Sequence, residues 1–278
     1  MTNSAVRIEN ETQTAFVEAL PHRGGIVIRW NIEGQELFYL DEERLMADPA
    51  LSVRGGNPIL FPICGNLPNN TYTVGDQTYT LVQHGFARNL PWAVVNHTAT
   101  TLEVALESSP ETLAVYPFEF LFKMTYELEG ESLVVRSHIT NRSTQTMPFS
   151  LGFHPYFAVA DKSKLTFDLS AEQQFDNVTQ QTQPFSGEVD LNVPELDVAL
   201  FRVTSPTAAM KGGKRTIALT YDKVFTTLVV WTVEGKPFVC LEPWTAQRNA
   251  LNTGVDLTHL EAGASIEAVV TMTAQMGG

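Results

Sequence analysis

Apolar residues in this chain fall into short runs, and where they alternate with polar ones the period is two, the pattern of a half-buried strand. Ile26-Val-Ile-Arg-Trp30 and Leu37-Phe-Tyr-Leu40 flank Glu33-Gly34-Gln35, which reads as a hairpin. Tyr72–Val74 and Thr78–Val82 flank Gly75-Asp76, a turn pair whose primed geometry matches the twist of adjacent strands. Leu102 to Leu106 alternates strictly, and Phe118 to Leu128 is long and aromatic. Glu129-Gly130-Glu131 turns that run into Leu133 to Thr140, and Lys164–Leu169, Arg215–Thr220, Val224–Val233, Pro237–Leu241 and Ser265–Thr273 complete the predicted strands. Helical spacing is confined to Asp41–Ala47 and to Glu111–Val115, the latter after Pro110, whose fixed φ suits a first helical turn. Glu172 to Pro194 is polar and is predicted to be a long surface loop.

Many short strands separated by Gly, Asn, Asp and Pro turns predict an all-β sandwich or barrel. The 278 residues suffice for one large β domain over 1–278, with no internal repeat and no evident linker. A net charge of −13, from 18 basic and 31 acidic side chains, argues against nucleic acid as a partner. It leaves room for a small anionic substrate held by one or two arginines. The polar start lacks the apolar stretch of a signal peptide, and no run approaches the roughly 18 apolar residues of a membrane span. No membrane partner and a cytoplasmic location are therefore expected. Cys64 and Cys240 lie far apart without metal-ligand spacing, so two buried thiols and no metal site are expected.

Four segments break the strand rhythm with residues that chemistry uses. Pro148-Phe-Ser-Leu-Gly-Phe-His-Pro-Tyr-Phe157 fixes His154 among aromatics, prolines and a glycine, and an imidazole titrates near cellular pH. A hydrogen-bonded core histidine would look the same. Arg54-Gly-Gly-Asn-Pro leads into Phe61-Pro-Ile-Cys-Gly-Asn-Leu67, where glycines and prolines hold an irregular backbone. His84-Gly-Phe-Ala-Arg88 is a turn or a site. In Leu241-Glu-Pro-Trp244, a carboxylate ends an apolar strand, where burial raises its pKa, unless Glu242 pairs with the nearby Arg248. Tryptophan faces bind the C–H face of a sugar ring, while histidine and glutamate can move protons on its hydroxyls. No Gly-x-Ser-x-Gly, His-Glu-x-x-His, P-loop or dinucleotide fingerprint competes.

The ordered set Asn57-Pro, Phe61-Pro-Ile-Cys-Gly, His84-Gly-Phe-Ala-Arg, Tyr116-Pro-Phe, Asn141-Arg-Ser, Met147-Pro-Phe-Ser-Leu-Gly-Phe-His-Pro-Tyr-Phe, Leu241-Glu-Pro-Trp and Asn252-Thr-Gly resembles the aldose 1-epimerase (galactose mutarotase-like) superfamily. The resemblance runs from about Ile26 to Thr273. It implies a large antiparallel β-sandwich (the galactose mutarotase-like supersandwich) with a sugar site in an open cleft on one sheet. By position, Glu242 resembles the general base, His154 the general acid, His84 the second site histidine and Asp197 the aspartate that binds sugar hydroxyls. Trp244 and Asn66 fall among the substrate-binding positions, although sugar-binding members commonly carry arginine where this chain has Asn66. Arg54 and Arg88 are similar to arginines that help bind phosphate in the hexose-6-phosphate epimerase branch.

The resemblance implies anomer interconversion of an aldohexose, free or 6-phosphorylated, with acid and base on opposite sides of the acetal centre and no metal, nucleotide or redox cofactor. A non-catalytic carbohydrate-binding protein on the same fold is the alternative from another class. Glycoside hydrolysis would use two carboxylates and leave His154 without a task.

Overall fold

The computed structural model describes residues 4–47, 51–213 and 215–276. Two large antiparallel sheets dominate it. The first runs, edge to edge, through Leu165–Asp168, Thr207–Gly212, Arg215–Tyr221, Ser265–Met276, Ser132–Asn141, Phe120–Glu129, Thr101–Glu107 and Ala93–His97. The second runs through Gln181–Pro184, Ala171–Asp176, Glu195–Val203, Thr227–Val233, Phe238–Trp244, Gly152–Phe153 and Ile59–Leu60, and Tyr156–Ala158 also pairs with Phe238–Trp244. A four-stranded sheet, Val6–Glu9, Ala15–Leu20, Ile26–Ile32 and Gln35–Glu36, a hairpin of Thr71–Val74 with Gln77–Thr80, and a pairing of Met147–Phe149 with Thr258–Leu260 complete the strands.

Alternation explains the sandwich. In Phe120–Glu129 the side chains of Phe120, Phe122, Met124, Tyr126 and Leu128 are buried, while Lys123 and Glu127 point outward. From the second sheet, Leu196, Val198, Leu200, Leu228, Val230, Val239 and Leu241 enter the same apolar cluster. Burying each such side chain contributes about 1.5–3 kcal/mol, so this shared layer holds the two sheets together.

Most predicted strands are present, with ends shifted by a few residues; the exception is Leu37–Leu40, since the strand after the turn is Gln35–Glu36 and Phe38 and Leu40 make only isolated bridges. Pro237–Leu241 becomes Phe238–Trp244, and Val224–Val233 begins only at Thr227. Both helices form: Glu42–Ala47, whose Arg44 amide donates to the Asp41 carboxylate at 2.9 Å, and Pro110–Val115, capped by Ser109. The surface loop predicted over 172–194 is partly wrong. Ala171–Asp176 and Gln181–Pro184 extend the second sheet outward, and their side chains are mostly exposed or half-buried, so no alternation marks them. No helix among the described residues is long and apolar enough to cross a membrane.

Candidate active site

Strand register assembles the site. Phe238–Trp244 is buried on both faces. Val239 and Leu241 face the inter-sheet core, which leaves Phe238, Cys240, Glu242 and Trp244 on the outer face. On one flank Val229 pairs with Glu242 and Trp231 with Cys240; one strand further, Ala199 pairs with Val229 and Asp197 with Trp231. On the other flank Gly152 pairs with Trp244 and Tyr156 with Cys240, in phase, so His154 lies opposite Glu242. Directly opposed residues share a face. Two cross-strand rows result: Ala199, Val229, Glu242, His154 and Asp197, Trp231, Cys240, Tyr156.

Gly152 is required by closeness. A Cβ there would lie 2.6 Å from the Trp244 ring and 2.7 Å from Cys64 Sγ. His84 arrives from a separate loop in the left-handed conformation, φ +65°, and a Cβ on Gly85 would stand 2.3 Å from the Phe61 carbonyl oxygen. This turn puts the His84 ring 5.7 Å, centroid to centroid, from both His154 and Trp244.

His84, His154, Tyr156, Asp197, Trp231 and Glu242 line a cleft of about 300 Å³, at the small end of ligand pockets and suited to a monosaccharide. His154 Nε2 lies 3.3 Å from Glu242 Oε1, and the Trp244 indole N–H donates to Glu242 Oε2 at 3.2 Å. The His154 ring stacks on Tyr156 with 4.6 Å between centroids. The Gly65 amide donates to His84 Nδ1 at 3.1 Å, so His84 carries its proton on Nε2 and offers an N–H donor.

Burial pushes the Glu242 carboxyl well above its ordinary range, and the nearby Asp197 adds to this; the Trp244 hydrogen bond, Arg248 and Arg88 oppose it. Burial, then the Arg88 charge, lowers His154 to about 3. Both charged forms are disfavoured, so the pair's proton rests on the carboxyl, reversing the protonation expected from sequence. His84 is held neutral by burial, then by Arg88. It can donate its N–H but is no acid.

The sequence-predicted residues converge with one exception. Glu242, His154, His84, Asp197, Arg54, Arg88 and Trp244 all line the cleft. Asn66 does not; its Oδ1 accepts from Arg248 Nη1 at 3.1 Å, while Arg248 Nη2 sits 3.4 Å from Asp197. Arg248 thus pairs with Asp197, not with Glu242. Trp244 is buried and orients the carboxyl; the indole left partly open to the cleft is Trp231, with its N–H donated to Glu195 at 3.0 Å. Sequence reading missed Trp231, Arg44 and Glu195. Each sits in an ordinary strand or helix, and only the register of neighbouring strands could have marked the first and last. His154 and Glu242, expected as acid and base, also stand side by side on the cleft floor, not on opposite sides of a substrate-sized gap.

The aldose 1-epimerase family model matches residues 5–273. The chain is similar to the Slr1438 protein of Synechocystis sp. PCC 6803, a solved structure, at 39% identity over 99% of this chain and 97% of that one, with a TM-score of 0.96. Protein LacX of Lactococcus lactis is 28% identical over 229 residues, 72% of this chain and 77% of that protein. A Cenchrus ciliaris protein provisionally named a glucose-6-phosphate 1-epimerase is 30% identical over 243 residues, 82% of this chain and 67% of that one. A galactose mutarotase related enzyme from Lactobacillus acidophilus, 24% identical with a TM-score of 0.80 over 98% of this chain and 97% of that one, has the same fold. With an imidazole and a carboxyl joined at the floor of a sugar-sized cleft and the family's match covering nearly the whole length, this chain is an isomerase belonging to the aldose 1-epimerase family.

Proposed function

We propose that the chain interconverts the α and β anomers of an aldohexose 6-phosphate, with Glu242 and His154 exchanging the protons. One observation carries the phosphate. Arg44, Arg54 and Arg88 all reach the cleft, and among the described residues none lies within ion-pair distance of a carboxylate. Arg88 is sunk into the wall, where burial disfavours its charge; its Nη2 donates only to the Gln83 carbonyl, and its buried Nε has no partner. A half-buried guanidinium with an unpartnered, buried Nε is completed by an anion, and a phosphate does so through charge-assisted hydrogen bonds.

The two oxygens that must trade a proton, the C1 hydroxyl and the ring oxygen, are bonded to the same carbon. An acid and a base 3.3 Å apart on one side can therefore serve both. Following the family's assignment, Glu242 as carboxylate takes the C1 hydroxyl proton and His154 as imidazolium gives one to the ring oxygen. The bond between C1 and the ring oxygen breaks and a C1 carbonyl forms. Rotation about C1–C2 presents the other face, and closure reverses both transfers. Reaching the reactive form from the resting one takes a single proton shift within the pair. Arg88 and Arg54 both disfavour a protonated His154, so a phosphate seated on them removes that repulsion. Each positioned group supplies about 10²–10⁴-fold in rate. His84 Nε2–H, Asp197 and Arg248 hold ring hydroxyls.

The test is a saturation-transfer NMR panel of anomerisation rates on glucose, galactose and their 6-phosphates, repeated with Arg54→Ala and Arg88→Ala. Losses confined to the phosphosugars are expected. Equal losses on every sugar overturn the phosphate assignment and leave the second reading, a free aldohexose, which the Asp197–Arg248 pair and His84 would bind without any phosphate contact.

A further inference from the structure

We infer that His154, Cys240 and Glu242 form a site for one divalent zinc ion, open to the sugar cleft, and that zinc bound there inhibits the epimerase.

The donors come from two neighbouring strand segments. Cys240 and Glu242 are two residues apart on one face of the same strand, and His154 stands opposite Glu242. One ligand atom from each lies within 4.8 Å of the other two. All three residues are buried. The imidazole–carboxylate separation of 3.3 Å already matches two ligands of a tetrahedral zinc ion, for which bond lengths near 2.0–2.2 Å are usual. The thiol, within 4.8 Å of both other donors, has to close in to reach a Zn–S distance of about 2.3 Å.

A second observation points to a ligand at the same spot. Glu242 Oε1 is fully buried yet has no hydrogen-bond partner, while its other oxygen is fixed by the Trp244 indole. A buried carboxyl oxygen whose polar neighbour is an imidazole nitrogen at 3.3 Å, with no hydrogen bond formed, is a group that a cation can complete. The Trp244 contact is the outer-shell support that orients metal-bound carboxylates. Of the three donors His154 and Glu242 line the cleft, so water or a sugar hydroxyl from the cleft would complete the four-coordinate shell of an open zinc site.

Charge and softness favour zinc. Bound to a neutral imidazole, a thiolate and a carboxylate, a doubly positive ion gives a site of zero net charge. The thiol and the Glu242 carboxyl each give up a proton, which passes to solvent. A buried site thus exchanges two protons for one dication with no change in total charge, avoiding the cost of an unbalanced buried ion. Thiolate and imidazole select zinc over magnesium, which prefers an all-oxygen shell. The ion occupies both proton-transfer atoms, so it is an inhibitor and not a cofactor. Binding rests on this geometry alone; inhibition rests on the catalytic pair proposed above.

The experiment titrates chelator-treated chain with cobalt(II) chloride, zinc chloride and magnesium chloride, followed by absorption spectroscopy and by anomerisation rate. One equivalent of cobalt is expected to raise a near-ultraviolet thiolate-to-cobalt band that zinc abolishes. Zinc should slow anomerisation competitively with the sugar, EDTA should restore the rate, and magnesium should do neither. Cys240→Ser should keep the metal-free rate, lose the cobalt band and need at least about ten times more zinc for half-inhibition; Cys240→Ala substitutes for it if the serine variant melts early. Absence of the band in the wild-type chain, or equal zinc inhibition in wild type and the Cys240 variants, overturns the site. A normal cobalt titration in a chain inactive on every sugar would sink the catalytic reading alone, because the spectrum needs no turnover.

Discussion

Phe120–Glu129 and Phe238–Trp244 sit in the middle of their respective sheets and treat their outer faces in opposite ways. Phe120–Glu129 buries every second residue and turns Lys123 and Glu127 to solvent, where Lys123 meets Glu103 at 2.8 Å and Glu127 meets Arg136 at 3.4 Å. Phe238–Trp244 buries every residue. Its inward side is apolar like that of its counterpart, but its outward side carries Cys240, Glu242 and Trp244 under the walls of the cleft. A carboxyl there loses its hydration, which shifts its proton affinity, whereas surface charge pairs on the first sheet stay in contact with water and contribute little. Identical pleating thus produces a scaffold in one place and chemistry in the other.

Four substitutions test that contrast, in descending order of effect. Glu242→Gln, on the outward side of the second sheet, should cut the anomerisation rate by about 10²–10⁴-fold, measured by polarimetry on freshly dissolved sugar. Its melting temperature should stay close to wild type; a wild-type rate would remove Glu242 from the mechanism. Leu241→Ala, one residue away but facing the core, should cost about 2–5 kcal/mol in urea unfolding and leave the rate per folded molecule nearly unchanged. Trp244→Phe keeps the ring but deletes the donor to Glu242 Oε2. Losing a hydrogen bond to a chargeable group, worth about 1.5–3 kcal/mol, should lower kcat by about tenfold or more, with KM little affected. Lys123→Ala should change stability by about 1 kcal/mol or less, and a larger loss would show that the first sheet's outer face is not a passive surface.

The Glu172–Pro194 region and the floor of the cleft show where legibility stopped. Strands packed on one face announce themselves by alternation, as Phe120–Glu129 does, and the residues beside unusual glycines and prolines, His84, His154 and Glu242, stand out as motif. Ala171–Asp176 and Gln181–Pro184 do not, because edge strands with few buried side chains have no apolar period to read. Trp231, Arg44 and Arg248 were equally silent as binding residues. Nothing local distinguishes a tryptophan facing a cleft from one facing a core. Asn66 was misplaced for the opposite reason: motif position suggested contact with substrate, while the fold turned its side chain to Arg248.

The linear order of residues settled which segments become strands, which turns need glycine, and which histidines and glutamate belong to a recognisable spaced set, since these depend on neighbours a few positions away. Register across strands decided the rest. It set His154 against Glu242, placed Cys240 beside both despite the absence of any metal-ligand spacing, and drew four arginines around one hollow in an acidic chain. Proton affinity and ion binding follow from distance and dehydration, and both are properties of the packed sheet that no stretch of sequence holds alone.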